Sequence, residues 1–578
     1  MMLIFMIMLI DDAVIFEIEG KNDLEIIARE IEMLRIAPID VNKAEFSELI
    51  RIPYLSVNDC MRIIEYRRQH GAYNNINELI NVPGMDRILF ERIKPYVTTM
   101  TKKIVVEKYH SRVRWQRFFP DHEYADDCYS KHELFSRPYR VYFINEKDRY
   151  ERSLFDYYAV GLMTDEGKRH LVIGRYNLDL GKGLVLSQAG SFLYGSDLRL
   201  QIEERGIIPY TSVIENGGFF GAALSDSLLA HLTLFYSNQK IDARIDSNGY
   251  AYSFFEGDHV DTQSRSYKDR LNEELIGYDV KYSYDRYLFA NRTYWCKYEP
   301  AFVSSDSLRG FYGDHFWISS VEFNYHGQSF LMFGEVARAH QDRIGGIFGF
   351  SNGFSVCDFT AAVQYFPIGF ISPKGVESKN GYLGGAFEIS SRNKFCNFNA
   401  DLKYEKNAES DSMLYRFALA FERKVSFLVG RLQMNWRYAS NFDRAGSAIL
   451  IRAKPFRSVF FDLRLEDKYI FAQDSVYRGL IGCLEIGLDK KFLKLRLRYG
   501  IFDTENYQAR LNVYEIDLPG VINNRMLYGL GDYSFVYLSG NLTSLLTISS
   551  KYSIIRRDNN LTHKIGAQVD MRIKNRDQ

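Results

Sequence analysis

The sequence predicts two unlike parts, a small all-α domain of tandem helical hairpins followed by a large all-β antiparallel barrel of the transmembrane type. Helical periodicity is confined to the N-terminal region, where two short hairpins recur about thirty residues apart. From Lys103 onward apolar and polar residues alternate with period two. The composition agrees: 15% of residues are aromatic, with 42 Phe and 41 Tyr against four Trp, and 41 Gly outnumber 12 Pro. Tyr, Phe and Gly suit many strands joined by tight turns, with rings at surfaces that are half wet and half apolar.

The 578 residues exceed what one ordinary core holds. Cations and anions balance at 73 each, so nothing global draws the chain to nucleic acid or an anionic surface, and any such binding needs a local patch. Mean hydropathy is slightly negative. That disfavours a helical membrane protein but not a barrel, whose strands are apolar on alternate residues only. The cysteines (Cys60, Cys128, Cys296, Cys357, Cys396, Cys483) are scattered, with neither a CxxC nor a Cys/His cluster, so no zinc site or disulfide framework is indicated.

Residues 1–10, MMLIFMIMLI, form an apolar, signal-like segment too short to span a bilayer as a helix. A buried N-terminal element is the alternative. Residues 11–37 form a helical lead-in: Leu24, Ile27, Ile31 and Leu34 share one helical face, and Pro38 ends it. The domain at 38–99 follows. Asn42 is placed to cap a helix bearing Phe46, Leu49 and Ile50, and Pro53-Tyr54-Leu55-Ser56 is a hairpin. A second helix covers 58–70 and stops at Gly71. The pattern then repeats with a short helix at 75–79, the hairpin Val82-Pro83-Gly84-Met85-Asp86, and a helix from Arg87 to Lys94 closed by Pro95.

These residues make 39–99 a tandem helix-hairpin-helix domain. It resembles that of ComEA-type competence proteins through Asn42-Lys43-Ala44, Glu48-Leu49, Ile64-Glu65-Tyr66-Arg67, Gly71, Leu79, Val82-Pro83-Gly84 and Glu91-Arg92-Ile93. The resemblance implies sequence-independent contact with duplex DNA. In a Gly-hydrophobic-Gly hairpin, backbone N–H groups and the following helix N-terminus approach a phosphate. Tyr54-Leu55-Ser56 lacks both glycines, and Gly84-Met85-Asp86 sets a carboxylate at the second, where it repels phosphate and takes the amides itself. Between Asp40 and Thr99 eight cations meet eight anions, a poor basis for phosphate neutralisation. The candidate nucleic-acid residues are Tyr54, Leu55, Ser56, Pro83, Gly84, Met85, Asp86 and Arg87, with Arg62, Arg67 and Arg68 as a local basic patch.

The β-region, 103–578, is read from segments such as 139–143, 231–236, 398–404, 492–499 and 564–573. Each alternates apolar-out and polar-in, and polar turns such as Asp246-Ser247-Asn248-Gly249 separate them. Taken at about 25 to 35 residues per hairpin, the region predicts roughly 14–20 strands. A large soluble β-sandwich is the rival; a propeller lacks its repeat. The stretches IGRYNLDLGKGLVLSQAGSFLYGSD and RGIIPYTSVIENGGFFGAAL resemble an uncharacterised family of large helix-hairpin-helix proteins from Bacteroidota and relatives, which pair this module with an outer-membrane barrel. That resemblance implies no established activity.

No enzyme is expected. Gly181-Lys182-Gly183 lacks the spacing and the Ser/Thr of a phosphate-binding loop and reads as a lumen-facing bend where glycine lets backbones approach. The segment from Arg205 to Gly218 reads as an ordinary turn or as a structured, inward-folded constriction. Asp314-His315 and His340 with Asp342 have no third partner at a diagnostic spacing, and no catalytic motif occurs. No cofactor or metal is expected. The expected partners are outer-membrane lipid, with duplex DNA or other envelope proteins at the module. The expected location is the outer membrane with the module in the periplasm, serving transport, secretion or envelope assembly; DNA binding or uptake is the alternative.

Overall fold

The computed structural model describes Leu34 and residues 38–574 apart from loop stretches, the longest of which is 187–203. The signal-like segment and nearly all of the lead-in helix lie outside the described residues.

Among the described residues the module holds three α-helices: α1 (Phe46–Leu49), α2 (Val57–His70) and α3 (Arg87–Ile93). Ser56 starts α2 with a capping box: its Oγ accepts from the Asp59 N–H, and the Asp59 carboxylate accepts from the Ser56 N–H. A 3-10 turn, Ile76–Asn81, is capped by Asn75, and Asp86 caps α3 by accepting from the Leu89 N–H at 2.7 Å. Leu49, Ile52, Leu55, Ile63, Leu79 and Ile93 are fully buried between these pieces. A short parallel pair, Ile39–Asp40 with Val97–Thr98, joins the two ends.

Asn42 does not cap α1, which begins four residues later. Its side-chain amide donates to the Tyr73 and Thr99 carbonyls, and its oxygen accepts from the Tyr73 N–H. It clasps the start of the module to its middle and end.

The β-region closes into a barrel of 24 antiparallel wall strands, from Glu107–Phe119 to Asn560–Lys574, and these two pair to seal it. That exceeds the expected 14–20. The expectation took one strand from every 25–35 residues, whereas 24 strands over 107–574 recur about every 20 residues, because many are joined by two-residue turns that leave little sequence punctuation. Four of the five alternating segments of the sequence analysis lie wholly on wall strands, and 492–499 does so from Leu493 onward.

The alternation separates two environments. Along His231–Ile241, Leu232, Leu234 and Tyr236 face outward while Thr233, Ser237 and Gln239 are buried inside. The same outward apolar face recurs around the circumference, for example at Val141, Ile276, Val363, Leu402, Leu463 and Val569. An exposed apolar band closed on itself is what lipid requires and water penalises. Tyr284, Phe427, Phe456 and Phe492 stand exposed at one rim, as in the aromatic girdles that flank the apolar band of membrane barrels. Among the described residues no helix is long and apolar enough to cross a membrane.

The barrel's ends differ. Where the module lies, consecutive strands are joined by tight turns such as 285–286, 426–427 and 491–492. The opposite end carries the excursions 180–218, 242–270, 367–381 and 505–529.

Candidate functional site, a barrel mouth closed by the module

The module packs into the short-turn mouth, and its hairpins lead. The side-chain amide of Asn58, in the first turn of α2, donates to the Asn352 carbonyl at 3.0 Å. One turn on, Arg62 makes a bidentate pair with Asp358, with Nη1 to Oδ2 at 2.9 Å, and also donates to the Phe354 carbonyl. Asp86 accepts from the Asn397 amide with the oxygen that does not cap α3. Arg92 pairs with Glu422 at 2.6 Å and lies over the Tyr54 ring. Burial works against the Arg92 charge, but the adjacent Glu422 carboxylate, together with Tyr54 and Asp86, outweighs it and raises its pKa. Phe46 meets His326 edge-on, with ring centroids 5.1 Å apart.

The candidate nucleic-acid residues divide accordingly. Tyr54 and Gly84, the first residues of the two hairpin triplets, both have positive φ, 73° and 82°. The first hairpin therefore keeps its turn without the glycine that usually makes it easy. Leu55 and Met85 are buried in the module. Ser56 and Asp86 are committed to caps. Arg62 is held by the barrel, and a side chain at Gly84 would strike it, since a Cβ there would lie 2.6 Å from Nη1. Arg67 is internal, donating to the Val41 and Ala44 carbonyls. Pro83, Arg68 and Arg87 are exposed. The three arginines of the expected patch thus point to three different tasks, and the sequence held no sign that a barrel rim some 300 positions away supplies the partners of the hairpins.

Above this mouth, the lumen is occupied by segments folded in from the far end. Gly181-Lys182-Gly183 is one of them, and it does form a bend against the wall. The Lys182 N–H donates to Glu335 at 2.8 Å and its ammonium lies 3.1 Å from Glu322. Gly181 (φ 69°) passes so close to Arg292 that a Cβ would lie 1.8 Å from its guanidinium. Arg292 is fully buried and bound by Asp279, Glu322 and Glu335 from three neighbouring strands. A buried guanidinium persists only when its charge and donors are matched, and the same carboxylates hold the bend. The Ser372 hydroxyl donates to the Leu184 carbonyl and Lys374 pairs with Glu273, tying a second excursion to the first and to the wall. Across the lumen the hairpin Leu511–Ile516 with Ile522–Leu527 is held through Glu515 and Asp517 by Lys551 of the wall, with Arg525 of the hairpin also pairing with Glu515.

The catalytic pairs considered from sequence gain nothing here. Asp314 and His315 form an exposed two-residue pair, and His340 packs edge-on against Phe311.

Residues 35–98 match the helix-hairpin-helix motif family. No curated protein matches the chain by sequence. Among solved structures, the barrel is similar to the siderophore receptor PirA from Acinetobacter baumannii, at 6% identity over 82% of this chain and 81% of that one, with a TM-score of 0.39. It is similar to the FrpB iron transporter from Neisseria meningitidis, at 8% identity over 82% and 83%, with a TM-score of 0.38. The NanC porin aligns at 11% identity over 34% of this chain and 95% of its own, with a TM-score of 0.20. These scores are low, and the barrel rests on its own strand register.

Proposed function

We propose that this chain is a non-enzymatic outer-membrane transport or export barrel with two closures, a helix-hairpin-helix module corking the periplasmic mouth and inward loops filling the lumen. The observation that carries the reading is the seating of both hairpins in the mouth through Asn58, Arg62, Asp86 and Arg92. The orientation follows from the turns, because membrane barrels keep short turns on the periplasmic side and long loops outside. The module then lies in the periplasm. The ComEA-type character of the module and the kinship with the large Bacteroidota proteins belong to the same proposal. Duplex DNA needs the surface that the rim occupies, so in this reading the module binds DNA only after leaving the mouth.

The test is conductance in planar bilayers with the full-length chain, after confirming outer-membrane fractionation and heat-modifiable gel migration. Wild type is expected to be nearly closed. Loosening the cork (Asp358→Asn with Glu422→Gln) or the lumen bend (Gly181→Ala) separately is expected to change little, whereas the three substitutions together open a large conductance. A folded triple variant that conducts no more than wild type overturns the two-closure reading.

A further inference from the structure

We propose a divalent-cation site of zinc type at the long-loop end, built by Glu151, Asp156 and His259 with Asp242 behind the histidine. The residues come from two excursions far apart in sequence, 148–156 and 242–270, and their ligand atoms lie within 4.8 Å of one another. His259 is 1% exposed. Its Nδ1 faces Glu151 Oε1 and Asp156 Oδ2 at 3.9 Å each. A tetrahedral ion bound at about 2.0–2.2 Å from nitrogen and oxygen ligands sets its donors about 3.4 Å apart, so the 3.9 Å contacts of His259 must close by about 0.5 Å and the widest pair by more for the shell to form.

The other ring nitrogen, Nε2, lies 3.2 Å from Asp242 Oδ2. A carboxylate behind a ligating imidazole fixes its tautomer and aims the opposite nitrogen at the metal. Asp242 is itself anchored, its second oxygen accepting from the Asp269 N–H. Glu151 is anchored by the Asp148 and His259 backbone N–H groups.

Three carboxylates, Glu151, Asp156 and Asp242, thus gather around one imidazole, and Lys268 donates to Asp156 Oδ2 at 2.9 Å. One imidazole with carboxylates is a ligand set suited to zinc rather than to calcium or magnesium. Lys268, which also donates to the Asp156 carbonyl at 3.0 Å, is 31% exposed, so its ammonium can give up the Asp156 carboxylate to the ion and turn toward solvent. Bound zinc would staple the two excursions together across the strands between them.

The experiment is equilibrium dialysis of the full-length protein in detergent against zinc, read by elemental analysis, with heat-modifiable migration confirming the fold of each variant. Wild type is expected to hold one zinc per chain, His259→Ala to lose at least about a hundredfold in affinity, and Asp242→Asn to lose about tenfold to a hundredfold. His315→Ala, an exposed histidine elsewhere, is expected to match wild type. Zinc should also slow proteolysis within 242–270 in wild type and not in His259→Ala. A folded wild type that binds no zinc, binds calcium in its place, or is matched in zinc content by His259→Ala overturns the proposal.

Discussion

Asp358→Asn tests the docking of the module most directly. Arg62 and Asp358 form a bidentate pair, with side chains 21% and 9% exposed, so water screens it only in part. An asparagine keeps one acceptor oxygen and loses the charge and the second acceptor, leaving Arg62 with the Phe354 carbonyl and with Asp59 at 3.7 Å. A hydrogen bond to a charged group is worth about 1.5–3 kcal/mol, and partial exposure sets the loss near the lower end, about 2 kcal/mol. At about 1.4 kcal/mol per tenfold, the ratio of docked to undocked module falls roughly 30-fold. Glu422→Gln breaks the second pair, at Arg92, which shares no partner with the first. The double variant should therefore lose about 4 kcal/mol, roughly a thousandfold, if the two effects add. Hydrogen exchange read by mass spectrometry measures it: the rim turn 354–357 and the first turn of α2 should exchange faster by these factors, while the module core around Ile63 and Leu79 stays protected. Unchanged exchange at both places in a folded double variant refutes the argument that these pairs hold the cork.

Other perturbations have equally definite outcomes. Asn42→Ala removes three hydrogen bonds that join distant parts of the module; at about 1 kcal/mol each, it should destabilise the module by about 3 kcal/mol, seen as faster proteolysis within 38–99 with the barrel unaffected. Gly181→Ala places a methyl group against the Arg292 guanidinium at a residue of positive φ, so the bend should leave its seat and become protease-sensitive; Gly430→Ala, where a Cβ meets nothing within 4 Å, is the matched control and should behave as wild type. Leu465 faces outward midway along Val459–Ala472 and is 47% exposed, so Leu465→Arg should cost about 2–4 kcal/mol in a bilayer, measured as a lower denaturant midpoint in vesicles. The full-length protein should give no mobility shift with duplex DNA at low salt, and the Asp358→Asn, Glu422→Gln variant should show any DNA affinity the released hairpins retain.

What the sequence made legible follows from the range of each interaction. Alternation is a local property, and it identified strands such as His231–Ile241 and Asn560–Lys574 because one face meets lipid and the other a polar lumen. Strand number is less local: two-residue turns such as 426–427 merge adjacent strands into one long alternating run, and the barrel came out larger than expected. The conflict at Asp86 was visible because a cap needs only the next three residues. The true work of Asn42 was not, since its partners at Tyr73 and Thr99 carry no signature of a clasp; the same holds for Arg62 with Asp358, and for Glu151 with His259. Gly181 was readable as a bend because two glycines around a lysine leave few alternatives, but Arg292 as its neighbour was not.

The module's chemistry explains how a fold associated with phosphate contact can serve as a cork. A helix N-terminus presents unpaired N–H groups and a partial positive charge. In a phosphate-binding hairpin these are offered outward. Here Ser56 with Asp59, and Asp86, satisfy them within the module, so the hairpin tips can enter a mouth lined by carboxylates and amides without stranding donors. Asp86 shows the change at a single residue: one oxygen caps α3 and the other receives the Asn397 amide. A phosphate at that position would meet a carboxylate, while an amide meets an acceptor. The arginines follow the same logic, since Arg62 and Arg92 find Asp358 and Glu422 where a DNA-binding module would need them free. The acidic cap that weakens phosphate contact is therefore the feature that makes the hairpin fit its own barrel.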